Sequence, residues 1–252
     1  MSRATKLVVF LLISHCLSAQ NTDSTQTPSF FRGQITATNN GVSLIPSFSL
    51  GKPAILFDMN IGKGRLSFDP MIRFGMNGEP WTFVFWWRYK LIQQKKFSLG
   101  IGAHPSVVFR DVSVVENGVT KDFMSAQRYF AWEASPTYVV NKNLNFGLYY
   151  LGSHGLTKDI VQYTTFIAFR SNFNIPLSQK VTLNMIPQLY YLKMDNNKGT
   201  YVNATVNVFS KKIPISVNAV VSKALKTEIA GKDFLWSVGL VYNINNSYRK
   251  LK

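Results

Sequence analysis

The sequence predicts an all-β protein: an antiparallel up-and-down transmembrane β-barrel of about twelve strands, following a cleaved signal peptide. Three observations carry this. Side-chain character alternates with period two along most of the chain, the apolar face is rich in aromatics, and most segments run to about 10–15 residues. A tilted membrane strand needs about 9–11 residues, whereas ordinary strands have about 5–6.

The N-terminus reads as an address. Arg3 and Lys6 precede the apolar run Leu7–Ile13, and Leu17-Ser18-Ala19-Gln20 offers a small residue for cleavage. This order predicts a secretory signal over 1–20, too short to cross a membrane as a helix. Cys16, the single cysteine, would leave with it, and His15 before it argues against a lipoprotein signal. Residues 21–41, rich in Thr, Ser and Asn, read as a flexible lead-in, within which FRGQITA (31–37) offers an extra strand or a plug.

The alternating segments fall at roughly 42–50, 53–61, 64–74, 80–91, 96–111, 124–140, 144–153, 159–173, 180–194, 199–210, 213–223 and 233–244, so the barrel spans 42–244. From Trp81 to Leu91 the odd positions are Trp81, Phe83, Phe85, Trp87, Tyr89 and Leu91; the even ones include Thr82, Arg88 and Lys90. Successive strand side chains point to opposite faces. A soluble sandwich would also alternate. The membrane reading is favoured by the Gly, Ser, Asn and Thr on the opposite face, as a polar lumen requires. It is also favoured by apolar-face aromatics near strand ends, as in interfacial girdles: Trp81, Trp87, Tyr89, Trp132, Tyr138, Trp236 and Tyr242. Short and long connections alternate, which puts both termini at the periplasmic side. Pro46, Pro70, Pro105, Pro136 and Pro187 oppose the assignment, because each removes a ladder donor from a sheet without edges.

The signal ending LSAQ, the run PAILFDMNIGKGRLSFDPMIRFGMNGEPWTFVFWWRYKL (53–91) and the later alternating strands resemble small outer-membrane β-barrel proteins of the Bacteroidetes type. The resemblance covers most of the mature chain and implies the fold and the compartment. It brings no assigned activity and no catalytic residues. The chain departs from barrels that end on an aromatic assembly signal, since Tyr242 and Ile244 are followed by the basic tail 245–252.

The alternation directs Asp58, Arg65, Asp69, Arg73, Arg88, Lys90, Arg110, Glu133 and Arg170 inward, six cations against three anions. Two readings follow: an ion-paired network filling the barrel, or a narrow channel or small-solute-binding barrel biased toward anions, since charged linings set selectivity. Trp86, Phe166 and Tyr190, also inward, favour partial filling. A filled barrel would serve as an anchor or partner for an envelope complex. His104 and Ser106 form a polar pair on one face, and with Glu133 on the next strand they match the residue types of a barrel lipid hydrolase. All three face the lumen, away from lipid, so a hydrogen-bonded cluster is the simpler reading. His154 reads as a solvated loop residue. No cofactor or metal is implied, because no convergent ligand set is visible.

The chain carries 28 Lys and Arg against 12 Asp and Glu. A basic surplus invites nucleic acid, but only 16% of residues are charged, against about 25% in soluble domains. The chain is therefore short of acids. Its topology puts ten cations and no acid at the periplasmic rim: Lys63, Lys95, Lys96, Lys142, Lys180, Lys211, Lys212, Arg249, Lys250 and Lys252. The expected partners are outer-membrane lipids and a small anionic solute, with no nucleic acid and a monomeric state.

Overall fold

The computed structural model describes residues 29–116, 119–210 and 212–248; the signal segment 1–20 lies outside the described residues. Twelve strands follow one another: β1 Ser29–Thr38, β2 Ala54–Lys63, β3 Leu66–Gly75, β4 Pro80–Gln93, β5 Phe97–Glu116, β6 Val119–Asn141, β7 Leu144–Gly155, β8 Tyr163–Pro176, β9 Val181–Met194, β10 Asn197–Ser210, β11 Ile215–Thr227 and β12 Phe234–Tyr248. Each pairs antiparallel with the next, and β1 pairs with β12 to close the barrel. Closure leaves no free edge.

The first strand is not the predicted one. β1 contains FRGQITA, taken from the predicted lead-in, and pairs Ser29–Thr38 with β12 on one side and β2 on the other. Residues 42–50, expected as a strand, fold into the barrel around a single 3-10 turn at Pro46–Phe48. Their apolar alternation was real, but it serves packing against the lumen. At the other end of the chain, β12 continues through the predicted tail to Tyr248, so an aromatic residue does end the last described strand.

Four of the five troublesome prolines lie within strands, and one geometry accounts for all four. Opposite Pro70, β2–β3 pairing skips from Asp58–Met71 to Ile61–Phe68. At Pro105, β4–β5 pairing skips from Val84–Ser106 to Trp87–Ala103. At Pro136 and Pro187 the same gap opens toward β7 and β8. The register on either side of each gap is unchanged. Each missing N–H therefore costs a local gap in one ladder, while the second ladder, on the proline's other flank, holds the strand. Pro46 is the fifth, and it starts the inward 3-10 turn, where its fixed φ suits the first position.

The outer surface is an apolar band in which Trp87, Tyr89, Trp132, Tyr138, Trp236 and Tyr242 are all exposed, as a lipid-facing wall requires. Trp81 is not part of it. Arg73 pairs with Thr82 and Phe74 with Pro80, so Trp81 is the extra residue of a bulge. A bulge re-aims a side chain, and Trp81 turns into the barrel at 2% exposure. One girdle contact depends on a glycine. A Cβ on Gly152 would come within 2.6 Å of the Trp132 ring, which lies across the glycine as aromatics do over strand glycines. Gly152→Leu is expected to push the ring off the wall and shift tryptophan emission, an effect absent in a Trp132→Phe background. Identical spectra for Gly152→Leu and the parent would contradict this packing.

One end of the barrel carries the first and last described residues, Ser29 and Tyr248, two-residue turns such as 64–65 and 142–143, and Lys63, Lys95, Lys96, Lys142, Lys180 and Lys212. Lys211, Arg249, Lys250 and Lys252 fall outside the described residues. No acidic residue lies in the turns of this end among the described residues. The other end carries the longer connections, including 39–53, 156–162 and 228–233, and the β5–β6 hairpin, whose tip outruns its neighbours.

Candidate functional site

The lumen is built in three tiers. At the terminal end, a vestibule of about 500 Å³ is lined by Arg65, Lys90, Asp69, Arg88, Glu133 and Arg170. Arg65 sits in the β2–β3 turn at the mouth, not on a strand wall, and Lys90 is exposed beside it.

The vestibule narrows to a charged neck. Arg88 is its hub: Nη1 donates to Asp69 at 2.7 Å, and Nε donates to Glu133 at 2.6 Å. The Arg88 guanidinium also lies over the Trp86 ring, 4.3 Å from its centroid. Asn60 donates a second hydrogen bond to Asp69. Tyr149 donates its hydroxyl to Glu133 at 2.7 Å and carries Arg170 over its ring at 5.2 Å. Asp69 and Glu133 are each 7% exposed, and buried charges persist only when paired in this way. Arg73 pairs with Asp58 higher on the same wall, at 3.4 Å. Arg88 and Arg170 stand against Asp69 and Glu133 at the neck, while Arg65 and Lys90 lie at the mouth and Arg110 at the plug.

Across the lumen, an amide ladder replaces the charges. Asn184 donates to Asn172 (2.6 Å) and Asn174 (3.0 Å), Asn207 donates to Asn184 (3.1 Å), and Asn218 donates to Asn207 (2.6 Å). Four consecutive strands, β8 to β11, are thus tied side chain to side chain on the inner wall.

The third tier is the plug. Residues 42–50 hang inward from a base closed by the Gly41 amide to the Lys52 carbonyl and the Leu50 amide to the Gly41 carbonyl. Gly41 permits this, since a Cβ there would meet Leu50 at 2.8 Å and Trp81 at 3.1 Å. Trp81 Nε1 donates to the Phe48 carbonyl at 2.9 Å, and Arg110 donates to the Ser47 carbonyl while lying over the Phe48 ring. The inward bulge of Trp81 therefore has a purpose: it anchors the plug. Beside the plug, stacked rings of Phe166, Tyr190 and Tyr201 fill the β8–β10 wall, with Ile229 of the β11–β12 loop packed against them. At the loop rim outside, Lys52 bonds Glu79 at 2.8 Å. This contact holds the Glu79 carboxyl below its ordinary range and Lys52 above its own, but an exposed pair of this kind adds little stability.

The structure does not assemble a catalytic triad. His104 packs edge-on against Trp86 with centroids 4.0 Å apart. Among the described residues no hydrogen bond joins it to Ser106 or Glu133, and the Glu133 carboxylate is committed to Arg88 and Tyr149. His154 ends β7 and contacts the Gln162 carbonyl at 3.1 Å, so it is part of the wall rather than a free loop residue. Sequence reasoning missed Tyr149 because Tyr149-Tyr150 gives one ring to each face with no mark of which is inward. It missed the amide ladder because Asn reads as generic lumen polarity; the signal was its recurrence at matching positions in four successive strands.

No family model and no curated protein matches the chain. Among solved structures, it is similar to the KdgM porin (TM-score 0.53, 9% identity, covering 84% of this chain and 98% of that one). It is also similar to KdgM in complex with disordered oligogalacturonate (TM-score 0.51, 9% identity, the same coverage). The NanC porin matches with TM-score 0.50 and 10% identity over 87% of this chain and all of that one. At such identities the likeness is one of architecture: the chain has the closed-barrel fold of outer-membrane porins.

Proposed function

We propose that this protein is a monomeric outer-membrane barrel of the Bacteroidetes type that acts as a narrow channel or binding barrel for small anionic solutes. The observation that carries the reading is the vestibule at the terminal end, where Arg65, Lys90, Arg88 and Arg170 outnumber Asp69 and Glu133 on the lining, facing a far end occupied by the plug. Charged linings of this kind set the sign of the permeating ion. The oligogalacturonate bound in KdgM, itself a polyanion, gives the same direction. Terminal-end lysines would sit against anionic lipid headgroups. In planar bilayers with a KCl gradient, the purified protein is expected to give small conductance steps with a reversal potential favouring chloride. Silence at every voltage would reject a channel.

A second reading, a filled barrel that docks an envelope partner, is favoured by one feature. The β5–β6 hairpin extends past its neighbours with Val112, Val115, Phe123 and Met124 exposed. Affinity capture with this hairpin intact and deleted would separate the readings.

A further inference from the structure

The middle of the lumen has a chemistry that a wet anion channel does not need. Leu56, Met71, Val84, Leu151, Ile186 and Val220 turn inward from six different strands and line one cavity of about 550 Å³. That volume lies within the about 300–1,000 Å³ range of small-molecule sites, which are mostly apolar with a few convergent polar groups. Ile45 and Phe48 of the plug form its ceiling. Its floor is the neck, since Arg88, Tyr149 and Arg170 line both this cavity and the vestibule below.

The polar groups on this lining are under-satisfied in one direction. Arg88 is fully engaged, but Arg170 has no carboxylate partner among the described residues and rests only on the Tyr149 ring. Arg73 has one long ionic contact, to Asp58, and lies over the Trp81 ring at 5.7 Å, and its Nε is buried without an acceptor. His104, 7% exposed, has an Nδ1 without a hydrogen-bond partner on the same lining, a donor in one of its two neutral tautomers. A buried donor left without an acceptor costs free energy, and rotation of these side chains onto one anionic group would recover it.

We infer that the central cavity binds an amphipathic organic anion: a compact aryl or short alkyl body seated in the apolar belt, with one carboxylate directed to Arg170 and Arg73. This rests on the solute-binding reading above and narrows its substrate class. A polyhydroxylated acid meets the same guanidiniums and finds Ser106, Ser153 and Thr205 for a few of its hydroxyls, but the others would press against Leu56, Leu151 and Val220, where they find no partners. The vestibule thus attracts any small anion, whereas the cavity selects for an apolar body.

The test is calorimetric titration of the folded full-length barrel in detergent with phenylpropionate. Phenylpropanol supplies the same body without charge, and gluconate supplies the charge without the body. Phenylpropionate is expected to bind saturably, one to one, at least tenfold tighter than either control. Arg170→Gln and Leu151→Asn should each weaken it at least tenfold while keeping the unboiled gel mobility of a folded barrel. If Arg170→Gln does not fold, Arg73→Gln replaces it with the same expectation. Gluconate binding as tightly as phenylpropionate, affinity unchanged in the folded variants, or no saturable binding to the parent would each overturn the inference. Bilayer conductance of the same sample keeps the two claims apart. Conductance without phenylpropionate binding rejects the cavity ligand alone, and binding without conductance rejects the channel alone.

Discussion

Replacing residues 42–50 with a short Gly-Ser linker is expected to raise single-channel conductance several-fold and leave the barrel folded. None of these residues belongs to a strand, so their removal costs no ladder hydrogen bonds. The Gly51 amide reaches the Gly41 carbonyl at 3.4 Å, so the two ends of the excised segment already meet and a short bridge spans them. What is lost is the ceiling of the central cavity: Ile45 and Phe48, the Phe48–Tyr129 ring contact at 5.5 Å, and the carbonyls that hold Trp81 and Arg110. A milder pair of substitutions, Trp81→Phe with Arg110→Met, removes the two anchors and leaves the plug in the chain. A neutral hydrogen bond contributes about 1 kcal/mol and one to a charged group about 1.5–3 kcal/mol. The tethered plug should then release intermittently, read as flickering between the parental and the enlarged conductance. An unchanged conductance after excision would instead put the barrier at the Arg88 neck or at the Phe166–Tyr190–Tyr201 stack.

The plug also marks the limit of what the sequence reveals. Period-two alternation identified eleven of the twelve strands and put Asp69, Arg88 and Glu133 on the one face where they meet, because a register slip would exchange the entire apolar set for the polar one. The same signal misplaced the first strand. Val42, Leu44, Pro46, Phe48 and Leu50 alternate because the segment packs into a half-apolar lumen, and a pattern of burial does not say which wall supplies it. FRGQITA has only Ile35 and Ala37 to mark its outer face, with Gly33 between them and Phe31, so the true strand was the weaker pattern. Trp81 failed for a different reason: a bulge adds one residue and inverts parity beyond it, and nothing local in EPWTF announces it. The in-strand prolines read as breaks because a single sequence cannot show that each gap falls on one ladder only. The neck was legible as charges and illegible as a network. Arg88, Asp69 and Glu133 come from three strands whose register alone determines that one guanidinium reaches both carboxylates.

That register makes Arg88 the substitution with the largest expected effect. Arg88→Met removes the only cation paired with Asp69 and with Glu133 among the described residues. Both carboxylates stay buried, and breaking a buried pair from one side costs about 3–5 kcal/mol. The lower part of that range applies here, since the Arg88 side chain is 35% exposed and solvent screens part of the loss. The partners differ in what remains to them: Asp69 keeps Asn60, and Glu133 keeps Tyr149. The variant should unfold at markedly lower temperature, read as the point at which the unboiled gel mobility is lost. Arg88→Met with Asp69→Asn and Glu133→Gln removes the stranded charges and should recover most of that temperature, because a neutral network of similar shape can be nearly as stable as an ionic one. Selectivity separates this from a general packing defect. The neck of the parent is neutral; in Arg88→Met it retains Arg170 against two carboxylates, and the reversal potential in a KCl gradient should move toward potassium. In the triple variant Arg170 stands without an opposing acid, and the reversal potential should move past the parent toward chloride. A packing defect alone would lower the stability of both variants and leave the two reversal potentials on the same side of the parental value.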